Sequence, residues 1–318
     1  MSIPIVLVTG GSGLVGRAIQ TVEAQFAEQN TRFIYLSSKD CDLTHLDKVK
    51  QLFEEYRPTY VIHLAACVGG LFKNMTQKVD MLEKNLMINY NVVKCAHDYG
   101  VNRMIVCLST CIFPDQTTYP IDETMLHNGP PHSSNDAYAY AKRMLEIHCR
   151  MYRENCGDDF VCIIPTNIYG PHDNFHLADS HVVPALIHKC ALAKDRGEDL
   201  VICGSGAPHR QFIYSEDLAT IMLRVLFDTS ETHYQNLIVS TDEADEVSIA
   251  DVTKHIARSH EFGGRLIWDL EMSDGQYKKT AANTQMRALF PDFCFTPIED
   301  GIQKTVQWFV ENRCVARV

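Results

Sequence analysis

Apolar residues recur along this chain in two alternating rhythms. Short, nearly continuous runs such as Ile5-Val6-Leu7-Val8, Phe33-Ile34-Tyr35-Leu36 and Tyr60-Val61-Ile62-His63-Leu64 predict strands. Between them, Leu14 to Phe26 and Asp47 to Tyr56 space their apolar positions three and four apart, the period of a helix with one buried face. The pattern continues through a long helix over Met81 to Tyr99, a strand over Arg103 to Leu108, a helix over Tyr138 to Tyr152 and a strand over Phe160 to Pro165. Strands apolar on both faces, alternating with helices, imply a parallel sheet covered on both sides. The expected fold class is therefore α/β, a Rossmann-type doubly wound parallel sheet.

Beyond about Gly170 the rhythm loosens. Loops carrying Pro171, His172, Pro184, Gly204, Gly206 and Pro208 separate shorter elements, and no Gly/Ser-rich linker marks a boundary. The expected division is residues 1–170 as a dinucleotide domain. Residues 171–318 would be mainly a smaller C-terminal substrate-binding lobe, with segments that can return to the sheet.

Composition narrows the class. A net charge of −11 argues against general nucleic-acid or anionic-membrane binding, which needs a basic face. Met1-Ser2-Ile3-Pro4 carries no basic leader, and no apolar run is long enough to span a bilayer. The 12 cysteines are scattered without CxxC or zinc-type spacing, so the expectation is reduced thiols, a cytoplasmic chain and no metal.

The chemistry begins after the first strand. In Thr9-Gly10-Gly11-Ser12-Gly13-Leu14-Val15-Gly16, the glycines match the dinucleotide fingerprint in its strand–turn–helix setting. Missing side chains allow a tight turn and close backbone approach to a pyrophosphate, and the helix N-terminus adds free N–H groups. At the end of the second strand stand Ser37, Ser38 and Lys39, with Asp40 arriving late. Hydroxyls and an ammonium suit a ribose 2′-phosphate, which selects NADP(H) over NAD(H). Asp42 and Leu43, with the run His63-Leu64-Ala65-Ala66, are expected to line the adenine and ribose side.

Tyr138 and Lys142 stand one helical turn apart on one face. An ammonium there is expected to lower the phenol's pKa and hold the nicotinamide ribose, so that the phenol can pass a proton to a carbonyl. Ser109, just past a strand end, is placed to hydrogen-bond the same oxygen. Cys111, two residues on, could face the same cavity as a thiolate base, with nearby cations supporting its charge. His172, His176, His181 and His188 are all candidate partners, and periodicity does not choose among them.

These residues resemble the GDP-L-fucose synthases, the GDP-4-keto-6-deoxy-mannose 3,5-epimerase-4-reductases of the extended short-chain dehydrogenase/reductase class. The resemblance runs nearly the whole chain. Its more specific stretches are Ser109-Thr110-Cys111-Ile112-Phe113-Pro114 and Ser180-His181-Val182-Val183-Pro184-Ala185-Leu186. It implies that Cys111 deprotonates C3 and C5 of the 4-keto sugar and that His181 reprotonates the opposite face. Ser109, Tyr138 and Lys142 would then support reduction of the ketone with NADPH. Leu108, Pro165, Asn167, Ile168 and His181 would touch the cofactor, and Asn167, Lys189, Cys203, Arg210 and Asp274 the GDP-sugar. The resemblance also implies a homodimer built on the helices near Met81–Tyr99 and Tyr138–Tyr152.

Two positions depart from the family pattern. Ser12 stands where bacterial members carry an Arg, which shifts the 2′-phosphate contact toward Ser38 and Lys39. Cys203 stands where members usually have Trp, and it offers far less area to a substrate. The alternatives within the class are a nucleotide-sugar epimerase or 4,6-dehydratase, which recycle NAD(P) within each turnover. A non-catalytic NADP-sensing protein on the same scaffold is the alternative outside enzymes.

Overall fold

A computed structural model describes residues 3–69, 71–230, 234–272 and 278–318. The first apolar run forms β1 (Ile5–Thr9), and the glycine turn leads into α1 (Leu14–Val22), which buries Val15, Ala18, Ile19 and Val22 along one stripe. The helix expected to reach Phe26 ends at Val22. Glu23–Gln29 tightens into a 3-10 turn in which Phe26 leaves helical geometry, and its ring packs 6.0 Å from that of Phe227. A tertiary contact overrides the local period there.

The sheet half continues with β2 (Arg32–Leu36), α2 (Leu46–Tyr56), β3 (Tyr60–His63), α3 (Leu71–Thr76), α4 (Lys78–Asp98), β4 (Arg103–Cys107), α5 (Asp136–Cys156) and β5 (Phe160–Pro165). Beyond it come β6 (Asn167–Tyr169), α6 (Val182–Arg196), β7 (Leu200–Cys203), β8 (His209–Arg210), β9 (Phe212–Tyr214) and α7 (Ser215–Phe227). The chain finishes with β10 (Asn236–Val239), β11 (Val247–Ser248), α8 (Ile249–Ser259), β12 (Leu266–Asp269), α9 (Thr284–Leu289) and α10 (Ile298–Asn312).

Six strands pair in the order β2-β1-β3-β4-β5-β10, every pair parallel. All six residues of β5 are buried, as a strand covered on both faces must be. The succession reverses between β1 and β3, so the loops leaving their C-terminal ends diverge and open a crevice at that edge. β10, from the second half of the chain, pairs with β5, and α7 packs against α1, so part of that half belongs to the sheet.

Three apolar clusters hold the fold. On one face of the sheet, Val92, Val93, Leu145 and Cys149 pack with Leu7 and Met104. On the other, Ile19 and Val22 pack with Leu218, Met222, Val6 and Val8. The third joins α6, α8 and α10 through Ile187, Cys190, Val252, Ile256, Val306 and Phe309, and forms the smaller lobe beside the strand ends.

Candidate active site

The glycine turn is shaped by close packing. Gly10 has φ +71°, and a Cβ there would lie 2.8 Å from the backbone nitrogen of Ala65. A Cβ at Gly16 would meet Gly11 Cα at 2.6 Å, so α1 can sit against the turn only with a bare Cα. Gly11 faces away from the crevice: its N–H donates to Leu36 O at 2.7 Å, and its Cα abuts Tyr35. Gly13 is the N-cap of α1 with no side-chain cap, leaving the N–H groups around Ser12, Leu14 and Val15 to an anion. The cradle fits a pyrophosphate.

At the end of β2 the chain disposes of its own carboxylate. Asp40 Oδ2 accepts from Ser37 N at 2.7 Å and Ser37 Oγ at 2.6 Å, bonds that hold its carboxyl below the usual range. Ser38 and Lys39 remain exposed beside it, an arrangement that fits a 2′-phosphate. Asp42 is likewise occupied, bonded to Thr44 N and Oγ1, while Leu43 is buried and its carbonyl accepts from Asn91. Leu64, Ala65 and Ala66 are partly open at the end of β3.

His63 does not line the crevice as expected. It is fully buried, hydrogen-bonded at Nδ1 to Thr9 Oγ1 (2.7 Å) and at Nε2 to Asn89 Oδ1 (3.1 Å). Burial, with the Lys142 charge adding to it, pushes its pKa down to about 3. Period-two patterning reads such a residue as one more strand position; its polar partners lie 54 and 26 residues away.

Past β4, Ser109 caps a single 3-10 turn over Thr110–Ile112 and its Oγ accepts from Cys111 N at 3.3 Å. The hydroxyl and the thiol are thus fixed on one turn, with the serine O–H left to donate. Leu108, just before them, is buried. Lys142 is 2% exposed, and its Nζ donates to Cys107 O at 2.7 Å, 5.8 Å from the Tyr138 ring centroid. Burial pushes the Tyr138 phenol well above its ordinary value, and Cys111, Cys107 and Cys67 push the same way. The expected lowering by Lys142 is absent here, because that ammonium is itself desolvated, its own pKa lowered, and tied to a carbonyl. A phenol held protonated is the form that can donate.

The four histidine candidates separate. His172 packs on Trp308 at 4.4 Å, His176 lies beside Asp179, and His188 bonds Phe175 O at 2.8 Å. His181 is the N-cap of α6 and makes no capping bond. Its residue surface reaches solvent, yet crowding by the surrounding protein lowers its pKa, as on the wall of a concave cleft. On the same side, Asn167 is exposed and its Nδ2 donates to Gln211 O at 2.9 Å, beside partly open Ile168 and buried Pro165. Lys189 Nζ lies 3.9 Å from Cys203 Sγ, and Arg210 donates to His209 O at 2.7 Å. Asp274 lies outside the described residues.

Cys111 also opens on a pocket shared with Asp115, Tyr119, His132 and Lys279. None of these four was singled out by the sequence. Gln211 was also missed: 1% exposed, it bonds Thr241 O and both backbone groups of Ala281, joining β8–β9 to the segment that carries Lys279.

A glycine-cradled crevice at a parallel-sheet switch point, with Ser, Tyr and Lys beside it, defines a dinucleotide-dependent enzyme of the extended short-chain type. The chain belongs to the NAD dependent epimerase/dehydratase family, whose model matches residues 6–238. It is 52% identical over 312 residues to the GDP-L-fucose synthase of Dictyostelium discoideum, covering 98% of this chain and 97% of that one. It is 46% identical over 319 residues to a probable GDP-L-fucose synthase of Drosophila melanogaster, covering 98% and 99% respectively. A crystal structure of a GDP-L-fucose synthetase from Naegleria fowleri, bound to NADP, superposes with a TM-score of 0.94 at 48% identity, covering 99% of this chain and 95% of that one. Among the described residues no helix is long and apolar enough to cross a membrane.

Proposed function

We propose that this chain is an NADP(H)-dependent GDP-L-fucose synthase, converting GDP-4-keto-6-deoxy-D-mannose by 3,5-epimerisation and then 4-ketone reduction. The observation that carries the reading is the single turn that fixes Ser109 Oγ and the Cys111 thiol beside Tyr138 and Lys142. A simple 4-epimerase needs no thiol there. NADPH supplies the two-electron equivalent for the ketone when bound. The chain's own residues do the remaining work. The Cys111 thiolate takes the proton from C3 or C5: that C–H bond breaks, S–H forms, and the electron pair moves onto the C4 oxygen. Ser109 and the protonated Tyr138 steady that oxygen. His181 returns a proton to the opposite face, and Tyr138 finally protonates the C4 oxygen. Lys142, held by Cys107 O, fixes the ribose side.

In this reading Gly10, Gly13, Leu14 and the α1 terminus hold the pyrophosphate, and Ser38 and Lys39 the 2′-phosphate. Lys189 and Arg210 take the GDP diphosphate, and the lobe around α6, α8 and α10 is the sugar-nucleotide half of residues 171–318. The exposed Val79, Met87, Tyr90, Tyr140, Met144 and Met151 on α4 and α5 support a homodimer through those helices; sedimentation as a monomer at micromolar concentration would reject it. All 12 cysteines are unpaired, which supports a cytoplasmic location.

The deciding experiment mixes the protein with GDP-4-keto-6-deoxy-mannose and NADPH, follows absorbance at 340 nm and identifies the sugar. Oxidation giving GDP-L-fucose, slowed at the epimerisation stage in Cys111→Ser and His181→Asn, supports the reading. Turnover without net NADPH consumption refutes it in favour of an internally recycling epimerase or dehydratase.

A further inference from the structure

Among the described residues, one group of histidine, cysteine and acidic side chains converges closely enough to share a metal ion. It is His97, Cys156 and Asp158, whose ligand atoms all lie within 4.8 Å of one another. The fold builds this meeting point from two packed helices. His97 stands in the last turn of α4, and Cys156 is the last residue of α5. Gly157 then takes φ +78°, a left-handed turn that brings Asp158 to the same point. His97 Nδ1 and Asp158 Oδ2 are 2.8 Å apart, and the two side chains are 34% and 14% exposed. The His97 ring is steadied by the Tyr152 ring, whose centroid is 4.4 Å away. His97 and Cys156 stand far apart in the chain, so no zinc-type spacing marks the group in the sequence.

The surroundings favour a cation. Two helices end here, and the carbonyls of their last turns are the negative ends of their dipoles. Lys94 is paired with Asp98 at 2.8 Å and Arg103 with Asp159 at 2.6 Å, whereas Asp158 pairs with His97. One imidazole nitrogen, one sulfur and one carboxylate oxygen suit zinc, with water as the fourth ligand, and suit magnesium or calcium poorly. With zinc–ligand bonds of about 2.0–2.3 Å, tetrahedral ligand atoms lie about 3.3–3.6 Å apart. The His97–Asp158 pair would open by about half an ångström, and the exposed Cys156 side chain would swing in by about an ångström.

We propose that His97, Cys156 and Asp158 bind a zinc ion that staples the C-terminal ends of α4 and α5 together. The step is ligand exchange without redox change. Zinc sheds bound water, the Cys156 S–H bond breaks as the Zn–S bond forms, its proton goes to solvent, and His97 binds as a neutral imidazole. Cys156 lies five helical turns beyond Tyr138 on α5, about 27 Å along the axis. The zinc site is therefore separate from the catalytic residues, and it stands or falls apart from the proposed reaction.

The test uses full-length, reduced, chelator-stripped wild-type, His97→Gln, Cys156→Ser and Asp158→Asn proteins. Each is titrated with zinc against a chromophoric chelator, and with cobalt(II) as a spectroscopic substitute. Expected in wild type is one zinc per chain with a Kd of about 1 µM or tighter, weakened about 100-fold in each variant. Cobalt should show a thiolate charge-transfer band in wild type and none in Cys156→Ser. Millimolar magnesium or calcium should leave zinc binding unchanged. Zinc should raise the unfolding midpoint of wild type alone, while zinc-free midpoints and NADPH oxidation stay alike in all four proteins. On wild type by itself, zinc should protect the Cys156 peptide from iodoacetamide and leave exposed Cys294 reactive. Zinc affinity equal in wild type and the variants overturns the inference. So does a zinc-loaded wild type whose Cys156 alkylates at the zinc-free rate, an outcome that needs no variant to fold.

Discussion

His63 sits beneath the glycine turn as a neutral imidazole, and that state has a measurable price at low pH. Its pKa in the fold is about 3, against an ordinary value of 6.5. Between those values the unfolded chain binds a proton that the folded chain refuses. Stability therefore rises with pH through the window and is lost as pH falls below the unfolded value. From pH 7 to pH 5 this one group removes about 2 kcal/mol, because an unfolded histidine becomes almost fully protonated over that interval while His63 does not. His63→Gln keeps a side chain able to bond Thr9 and Asn89 but cannot titrate. At pH 7 the variant should be less stable by about 1–3 kcal/mol from imperfect hydrogen bonding. At pH 5 the difference should shrink by about 2 kcal/mol. His260, lowered to about 4, and Asp173, raised to about 7, titrate identically in both proteins and cancel in the comparison. Urea unfolding followed by circular dichroism at pH 5, 6 and 7, with equal m-values, gives the two curves. Parallel curves would refute a neutral buried His63.

Other consequences are as direct. Gly10→Ala should destabilise the chain by about 2–4 kcal/mol, combining left-handed strain with contact against the Ala65 backbone, and should weaken NADPH binding measured by fluorescence titration. Asp173 is buried with its Oδ2 unpartnered among the described residues, and burial raises its carboxyl to about 7. The fold therefore binds a proton there that the unfolded chain releases, so its stability contribution is lost as pH rises toward 7; Asp173→Asn should gain about 2–3 kcal/mol on wild type between pH 5 and pH 8, read from unfolding midpoints. Tyr138→Phe should lower NADPH oxidation by about 10²–10⁴-fold while leaving NADPH binding and the unfolding midpoint near wild type.

What was legible in the sequence was whatever repeats locally. Continuous apolar strands, amphipathic helices and the glycine turn announce themselves within a few residues, and the structure has each of them within a few positions of its expected bounds. Phe26 shows where that fails: helical spacing continued, but packing against Phe227, some two hundred positions on, ended the helix. The return of β10 to the sheet was only a possibility, because nothing in Asn236–Val239 says which strand it will pair with. His63 looked like a strand residue because its hydrogen bonds reach α4 and β1 rather than its neighbours. Lys279 was invisible for the same reason: a lone lysine in a polar segment comes to share a pocket with Cys111 only because Gln211 and Ile121 pin that segment there.

On the proposed reading, one cavity houses two kinds of proton chemistry, and the anchoring of the residues around it differs between them. Tyr138 and Lys142 lie on α5, and Lys142 is tied to the end of β4, the rigid interior of the sheet. A donor for ketone reduction must hold its proton until the carbonyl is charged, and desolvation in that interior keeps the phenol protonated. A base for carbon acids must surrender its proton beforehand, which calls for a facing cation rather than burial alone. Lys279, from a different element, lines the pocket of the thiol, on the segment joined by Gln211 to the lobe side. On the proposed reading, the surroundings of the acid and of the base thus come from separate parts of the fold. Substitutions that loosen the Gln211 clamp should therefore slow carbon-proton exchange more than ketone reduction. A Gln211→Leu protein tested on a pre-epimerised ketone and on the unepimerised one would show it; equal slowing on both would mean that the clamp supports the site as a whole.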